Sequence, residues 1–398
     1  MWVTPRCTAS TTSARRRASP ARPTARTARP CGRTDVLSHP LPVKQAAPVR
    51  TGGRGSLVRR VLAVVAAGVT LAATPLASAH AAPAGTVLAP LPGGTFSTAY
   101  GIDDNGVVVG YAGTAAGHTH AARWSADGRR VKDLGTLPGD TESIAYTVRE
   151  DGTIVGMSAG RDKVEDAVKW TRSGAVVRLP GLPGATETRA YGINDNGAAV
   201  GISSTPTGVH RPVRWSARGE VTALTTLPGD PAGGVGGIND RGVSVGYSGT
   251  PGGVLTSLRW AADGTPTELE PLAGDNSSHA SWINNAGVAV GHSYVAGAHP
   301  LIRPLRWEAD GTPVALELLP GDTGGSSWGI NDEGYSTGYT YAPGGQTHAV
   351  RWAPDGTVTK LGVLESGAGE GYQINAHGAV AGYTTSDDGA TLAALWKD

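Results

Sequence analysis

Four aspartates stand at one recurring place in this chain: Asp140, Asp230, Asp275 and Asp322 each close a Leu-Pro-Gly-Asp phrase or its variant Leu-Ala-Gly-Asp. Carboxylates repeated at matched positions could form an acidic ring that holds a cation or accepts sugar hydroxyls. The same placement suits an Asp side chain that hydrogen-bonds the backbone of its own turn. A second set is aromatic. Tyr100, Tyr146, Tyr191, Trp328 and Tyr372 share one position, and Trp282 falls one residue late. Flat rings in such an array could stack on a sugar or a peptide, or pack as core between repeats.

Other chemistry is thinly represented. "DDNG" and "NDNG" resemble fragments of calcium loops, but "VVVG" follows the first where a bidentate acid is required. His118 and His120 could grip a metal, yet no third ligand follows at a workable spacing, so solvated loop histidines are expected and no metal site is assigned. Downstream of residue 82 there is no thiol nucleophile, serine elbow, phosphate-binding loop or His-Glu-x-x-His pattern. No catalytic residue and no cofactor are therefore named. Scattered Ser, His and Asp could still converge from different repeats.

What positions these residues is a repeat. The Leu-Pro-Gly phrase or a variant of it begins at Leu91, Leu137, Leu182, Leu227, Leu272, Leu319 and Leu364, in steps of 45 to 47 residues. Three columns stay in phase with it. One glycine closes the "NDNG" turn (Gly106, Gly152, Gly197, Gly242, Gly287, Gly334, Gly378). Another stands four residues on (Gly110, Gly156, Gly201, Gly246, Gly291, Gly338, Gly382). The third column takes seven of the ten tryptophans: Trp124, Trp170, Trp215, Trp260, Trp307, Trp352 and Trp396.

Within a repeat the apolar pattern gives four short strands. In the third these are "TRAYGI", "AAVGIS", "RPVRWS" and "EVTAL", designated A to D in order. The A–B loop "NDNG" and the C–D loop "ARGE" fit a type I turn followed by a left-handed residue, a place where glycine avoids the Cβ clash. Four strands in about 45 residues is the size of a propeller blade. The last repeat stops two residues past Trp396 and lacks strand D. The Leu-x-x-Leu that ends every other strand D has its missing seventh copy at Leu88 and Leu91. The sequence therefore predicts an all-β, seven-bladed β-propeller over 82–398, closed by the N-terminal strand of the mature chain.

The 398 residues include 59 glycines and 27 prolines, a loop-rich composition short of low complexity. The net charge of +1 hides two unlike parts. Residues 1–82 carry thirteen basic residues and the single acid Asp35, leaving 21 basic against 32 acidic residues downstream. That balance of −11 speaks against a nucleic-acid or anionic-membrane partner. Both cysteines, Cys7 and Cys31, precede residue 82, so nothing beyond it can form a disulfide. Residues 57–81 have the three parts of an export signal, with Arg59 and Arg60, an apolar run to Leu76, and small residues before a cut after Ala81. The Arg/Pro/Thr/Ala-rich segment 1–56 has no apolar period and is expected to be disordered if made; the natural start is expected near Val58.

The repeat resembles the extracellular HAF repeat family, whose unit is similar to L-G-G-x-x-S-x-A-x-G-I-N-x-x-G-x-V-V-G followed by H-A-F-x-W. The likeness runs over 91–398, through "LPGGTFSTAYGIDDNGVVVGYA" with "HAARW" and "GINDEG" with "THAVRW". The first half of the unit is well matched. In the His-Ala-Phe part only His120-Ala121 and His348-Ala349 match, and no repeat has the phenylalanine. The resemblance implies an exported repeat protein and carries no catalytic residue with it.

In an A–B–C–D blade the A–B and C–D turns share one face and the B–C and D–A connections share the other. The first is nearly uniform here and reads as scaffold, while the second varies ("GTAAGHT", "AGRDKVED", "SYVAGAHPLI") and is where function is expected. The leading expectation is a secreted, monomeric, non-enzymatic binding module for an extracellular carbohydrate or protein, without a membrane span once the signal is removed. Its candidate ligand-binding residues are Asp140, Asp230, Asp275, Asp322, Tyr100, Tyr191, Trp328 and Tyr372. The alternatives are an exported propeller hydrolase or lyase with its site at the channel mouth, and a purely structural surface repeat. Carboxylates or histidines of several blades meeting in one pocket would favour the enzyme, and an aromatic-rimmed mouth would favour binding.

Overall fold

The computed structural model describes residues 84–162, 164–297, 301–362 and 367–397. The upstream segment 1–56, the expected export signal 57–81 and Leu364 of the seventh repeat lie outside the described residues, as do Lys163 and 298–300 in two of the variable loops. Within the described residues the chain forms seven four-stranded antiparallel sheets and no helix.

The third blade shows why. Its strands are Glu187–Ile193, Ala199–Ser204, His210–Trp215 and Val221–Ala223, joined in chain order. In the A–B turn the amide of Gly197 donates to the carbonyl of Asn194 at 2.9 Å, and Gly197 has φ +82°. That is the type I turn with a left-handed glycine that the motif predicts, and an L-residue there would be strained. The second glycine column answers a different constraint. Strand A carries a β-bulge at Tyr191, between the pairs Ala190–Gly201 and Gly192–Val200. A Cβ built on Gly201 would sit 1.9 Å from the Arg189 carbonyl oxygen, so no side chain fits opposite the bulge.

Packing is between blades. The apolar cluster around Trp215 takes Val155, Ala167 and Leu179 from the second blade and Ala190, Ile193, Ala199 and Val213 from the third. All seven column tryptophans are at most 1 % exposed. Six of their indoles donate to a carbonyl at the end of the preceding strand D, such as Trp215 to Pro180 at 2.7 Å and Trp260 to Thr225 at 2.7 Å. In the third to sixth blades the arginine just before the tryptophan ties its blade to the next. Arg259, for example, donates to the carbonyls of Ala309 at 2.7 Å and Gly287 at 3.0 Å. This arginine column (Arg123, Arg214, Arg259, Arg306, Arg351) is plain in the sequence once the tryptophans are aligned, although it carries no apolar period.

The ring closes as the missing strand D requires. Ala84–Val87 pairs antiparallel with Thr391–Lys397, with Gly85 opposite Trp396, and Leu88 beyond it is fully buried. The Ser97 hydroxyl of the first blade also accepts from the Ala393 amide of the seventh at 2.9 Å. All seven strands A line the axis, and their register places the candidate site.

Candidate functional site: the axial channel

At the A–B turn end of the channel the first residue of each turn links the blades. In the third to sixth blades Asn194, Asn239, Asn284 and Asn331 each donate a side-chain N–H to the carbonyl of the corresponding asparagine in the next blade, at 2.9–3.0 Å. Asn375 closes onto the Asp103 carbonyl at 3.0 Å. The same side chains turn back to their own loops, as Asn194 Oδ1 does in accepting from Ala198 N at 2.9 Å. The second turn residue adds another belt. Glu150 accepts from the Asp104 amide and from Asn105, each at 2.6 Å, and Asp240 accepts from the Asp195 amide at 2.8 Å and from Asn285 at 2.7 Å.

These turns enclose a cup of about 200 Å³ lined by all seven blades. Asp103, Asp104, Glu150, Asp195, Asp240 and Asp332 surround it against the single lining cation Arg149, which itself donates to the Asp195 carbonyl at 2.5 Å. Burial pushes the Asp103 carboxyl up to about 6 against the amide bond from Val107, with Glu150 and Asp104 adding to the rise. Burial beside Asp240 raises Asp195 as well. This gathering is what the enzyme alternative requires, but both oxygens of Glu150 and of Asp240 are taken by the neighbouring turns. The cup also lies on the face that the sequence assigns to scaffold.

At the waist, the bulged residue of each strand A points toward the axis. Tyr100 stacks at tilted angles on Tyr372 at 4.9 Å and Tyr146 at 5.3 Å between ring centroids. Tyr146 meets Tyr191 edge-on at 5.1 Å, and Tyr372 meets Trp328 at 6.4 Å. Five aromatics thus form an arc over five blades. The other two blades have Gly236 and Ser281 there. Trp282, one residue past the bulge, lines the cup instead, and its indole lies where a Cβ on Gly237 would come within 3.0 Å.

Above the waist, toward the D–A connections, a second column follows the second glycine on strand B: Tyr111, Tyr247, His292, Tyr339 and Tyr383. Tyr111 lies 5.7 Å from Tyr100, Tyr339 lies 6.3 Å from Trp328, and Tyr383 lies 6.0 Å from Tyr372. Most of these rings are half-buried. On inner strands packed between blades, the remaining exposure faces the channel. Burial raises the phenols of Tyr100, Tyr339, Tyr372 and Tyr383, which remain protonated donors at neutral pH. Burial lowers His292 to about 4; its ring pairs with the Ser326 hydroxyl at 2.8 Å and stacks on His279 at 5.3 Å. Glu370, only 5 % exposed, accepts from the Tyr383 hydroxyl at 3.0 Å, while burial pushes its carboxyl up to about 7.

The structure brings one predicted set together and keeps the other apart. Tyr100, Tyr191, Trp328 and Tyr372 share the waist with Tyr146. Asp140, Asp230, Asp275 and Asp322 stand one to a blade. The first three accept from the strand-B serines Ser158, Ser248 and Ser293 at 2.6–2.7 Å, and those hydroxyls accept from the amides of Leu137, Leu227 and Leu272. Asp275 also pairs with Arg303 at 2.7 Å, and Asp322 with His348 at 2.9 Å. His118 and His120 face Glu142 at 3.4 Å and Asp133 at 2.7 Å. Sequence reasoning missed Glu370 and the strand-B column. The column was visible as an aromatic or histidine after the second glycine in five repeats. Glu370 left no repeating trace, because the other blades have Thr98, Ile144, Arg189, Gly234, His279 and Ser326 at its position.

No family model and no curated protein matches the chain. Among solved structures it is similar to a puromycin-hydrolyzing peptidase from Mycobacterium tuberculosis, with 12% identity over 76% of this chain and 50% of that one, TM-score 0.54. It is similar to an oligogalacturonate lyase in complex with manganese, with 13% identity over 79% of this chain and 92% of that one, TM-score 0.52. A third is the β-propeller domain of the Trilobed protease from Pyrococcus furiosus, described as having an open velcro topology, with 12% identity over 76% and 95% of the two chains, TM-score 0.51. At these identities the likeness is one of fold. The strand Ala84–Val87 gives the present ring a closed form.

Proposed function

We propose that this chain is an exported binding module of the HAF repeat type, without an activity of its own, that takes an extracellular carbohydrate or protein segment into the axial channel. The observation that carries the reading is the arc of Tyr146, Tyr100, Tyr372 and Trp328 with Tyr191, in which every ring but the buried Tyr372 is half-buried, around a channel built by every blade. Partly exposed aromatic faces in a concave site gain by stacking on the flat face of a sugar ring or on a peptide side chain. The resemblance in the repeats and the export signal at 57–81 support an extracellular setting, and the acidic balance of the propeller speaks against nucleic acid.

Glu370 favours a second reading, since a carboxyl held at about 7 beside the Tyr383 phenol has the acidity of a general acid or base. Glycan-array screening run beside a panel of hydrolase and lyase substrates separates the two. Retained glycans without turnover support the binding module. Turnover abolished in Glu370→Gln, with no retained ligand, would overturn it.

A further inference from the structure

We propose that the axial channel above the waist selects a ligand carrying an ammonium group, received by the Glu370 carboxylate among a cluster of tyrosine rings; this rests on the binding reading above and names its ligand class. Glu370 is 5 % exposed; Oε1 is held by Tyr383 at 3.0 Å, the Tyr372 phenol also hydrogen-bonds toward the carboxyl, and the buried Oε2 has no well-aligned partner of its own among the described residues. The titratable groups facing it are phenols: Tyr372 and Tyr383 of its own blade, Tyr100 of the first and Tyr339 of the sixth. Among the described residues no cation offsets its burial. A carboxylate oxygen removed from water without a partner is a standing cost to the fold, which a bound cation would relieve.

The rings supply the complementary half. Tyr383 and Tyr372 lie 6.0 Å apart, Tyr372 and Tyr100 4.9 Å, and Tyr100 and Tyr111 5.7 Å, so four phenol rings and one acid stand in a single cluster. Aromatic faces attract an ammonium through their quadrupole, most strongly where water is excluded. Neutral sugar hydroxyls would satisfy the acid less well, and an anionic ligand would be repelled. A free amino sugar and a lysine side chain both present this chemistry.

The test is calorimetric titration of the full chain with n-butylammonium, glucosamine, Nα-acetyl-lysine amide and, as the neutral control, N-acetylglucosamine. n-Butylammonium and the lysine amide, charged throughout, are expected to bind at pH 8 and to weaken about tenfold by pH 6, following the ionised fraction of a carboxyl near 7, while glucosamine, partly neutral at pH 8, should change less. Binding near pH 7 should release protons, because the complex lowers the carboxyl's pKa. Glu370→Gln, nearly isosteric, should cost the ammonium probes about tenfold or more. Tyr383→Phe, which keeps the ring and the acid, should retain most of the binding. Glucosamine against the lysine amide decides between the two sources. Binding of N-acetylglucosamine alone, or ammonium binding indifferent to Glu370→Gln, overturns the ammonium proposal and leaves the binding module standing. Retention of nothing by the chain, here or on the array, overturns both.

Discussion

The two ends of the channel are built from the same seven strands and obey different rules. At the A–B turn end the repeats agree because the backbone demands it. Five turns open with the asparagine that bonds both its own loop and the next blade, and every turn closes with a left-handed glycine. Two residues above the bulge the seven blades offer Thr98, Ile144, Arg189, Gly234, His279, Ser326 and Glu370, which share nothing. Repetition thus marks positions fixed by geometry, and divergence on the axis marks positions released from it. A buried acid at a released position is not explained by the fold.

The largest expected effect tests the fixed end of that contrast. Gly201→Ala places a methyl 1.9 Å from the Arg189 carbonyl, so the strands must part there; a loss of at least about 4 kcal/mol is expected in denaturant unfolding, in the range reserved for severe core disruptions. Glu370→Gln is expected to do the opposite at the released end. The folded chain raises this carboxyl from 4.5 to about 7, so it favours the proton; the burial penalty is fully present above pH 7 and fades as the pH falls toward 4.5. Glutamine should therefore stabilise by roughly 3 kcal/mol at pH 8 and by nearly nothing at pH 4, read from paired melts. His292, lowered from 6.5 to about 4, works in the other sense, with stability lost as the pH falls through that window. Near-cancellation in the parent chain between pH 4 and 7, with a fall on acidification unmasked in Glu370→Gln, would show that both groups titrate as described.

Two smaller effects sharpen the account of the turn belt. Asn239→Ala removes a donor to the Asn284 carbonyl, buried, and an acceptor for the Val243 amide, partly buried, and should cost about 2 kcal/mol without altering ligand retention. Asp103→Asn restores the repeat's own residue where a carboxyl is held at about 6. A gain of about 1 kcal/mol at pH 8 is expected, and an unchanged denaturation midpoint would contradict the role given to this ring.

The architecture was legible because every requirement recurs. Trp215 is buried between blades, Gly197 has a positive φ, and Leu88 sits where the missing strand D needs it. Tyr100, Tyr191, Trp328 and Tyr372 were legible as a column, and the bulge that turns them to the axis explains their meeting. The four candidate aspartates were equally periodic but serve their own blades, since a Ser or Thr on strand B lies within reach of each; periodicity reports a shared need without saying whether it is a ligand's. The cup escaped notice because its acids look like turn residues, which they also are. Glu370 was illegible because a single acid in one repeat has no column, and its meaning depends on phenols from three blades.

The most direct test uses two residues of one strand. Trp328 faces the upper channel and Asn331, three residues later, bonds the turn of the seventh blade. The dissociation constant for the strongest glycan-array ligand, measured on Trp328→Leu and Asn331→Ala chains that both remain folded by circular dichroism, decides which end binds. The account expects at least about tenfold weaker binding for the first and unchanged affinity for the second. Unchanged affinity in Trp328→Leu with loss in Asn331→Ala would contradict it and move the site to the cup.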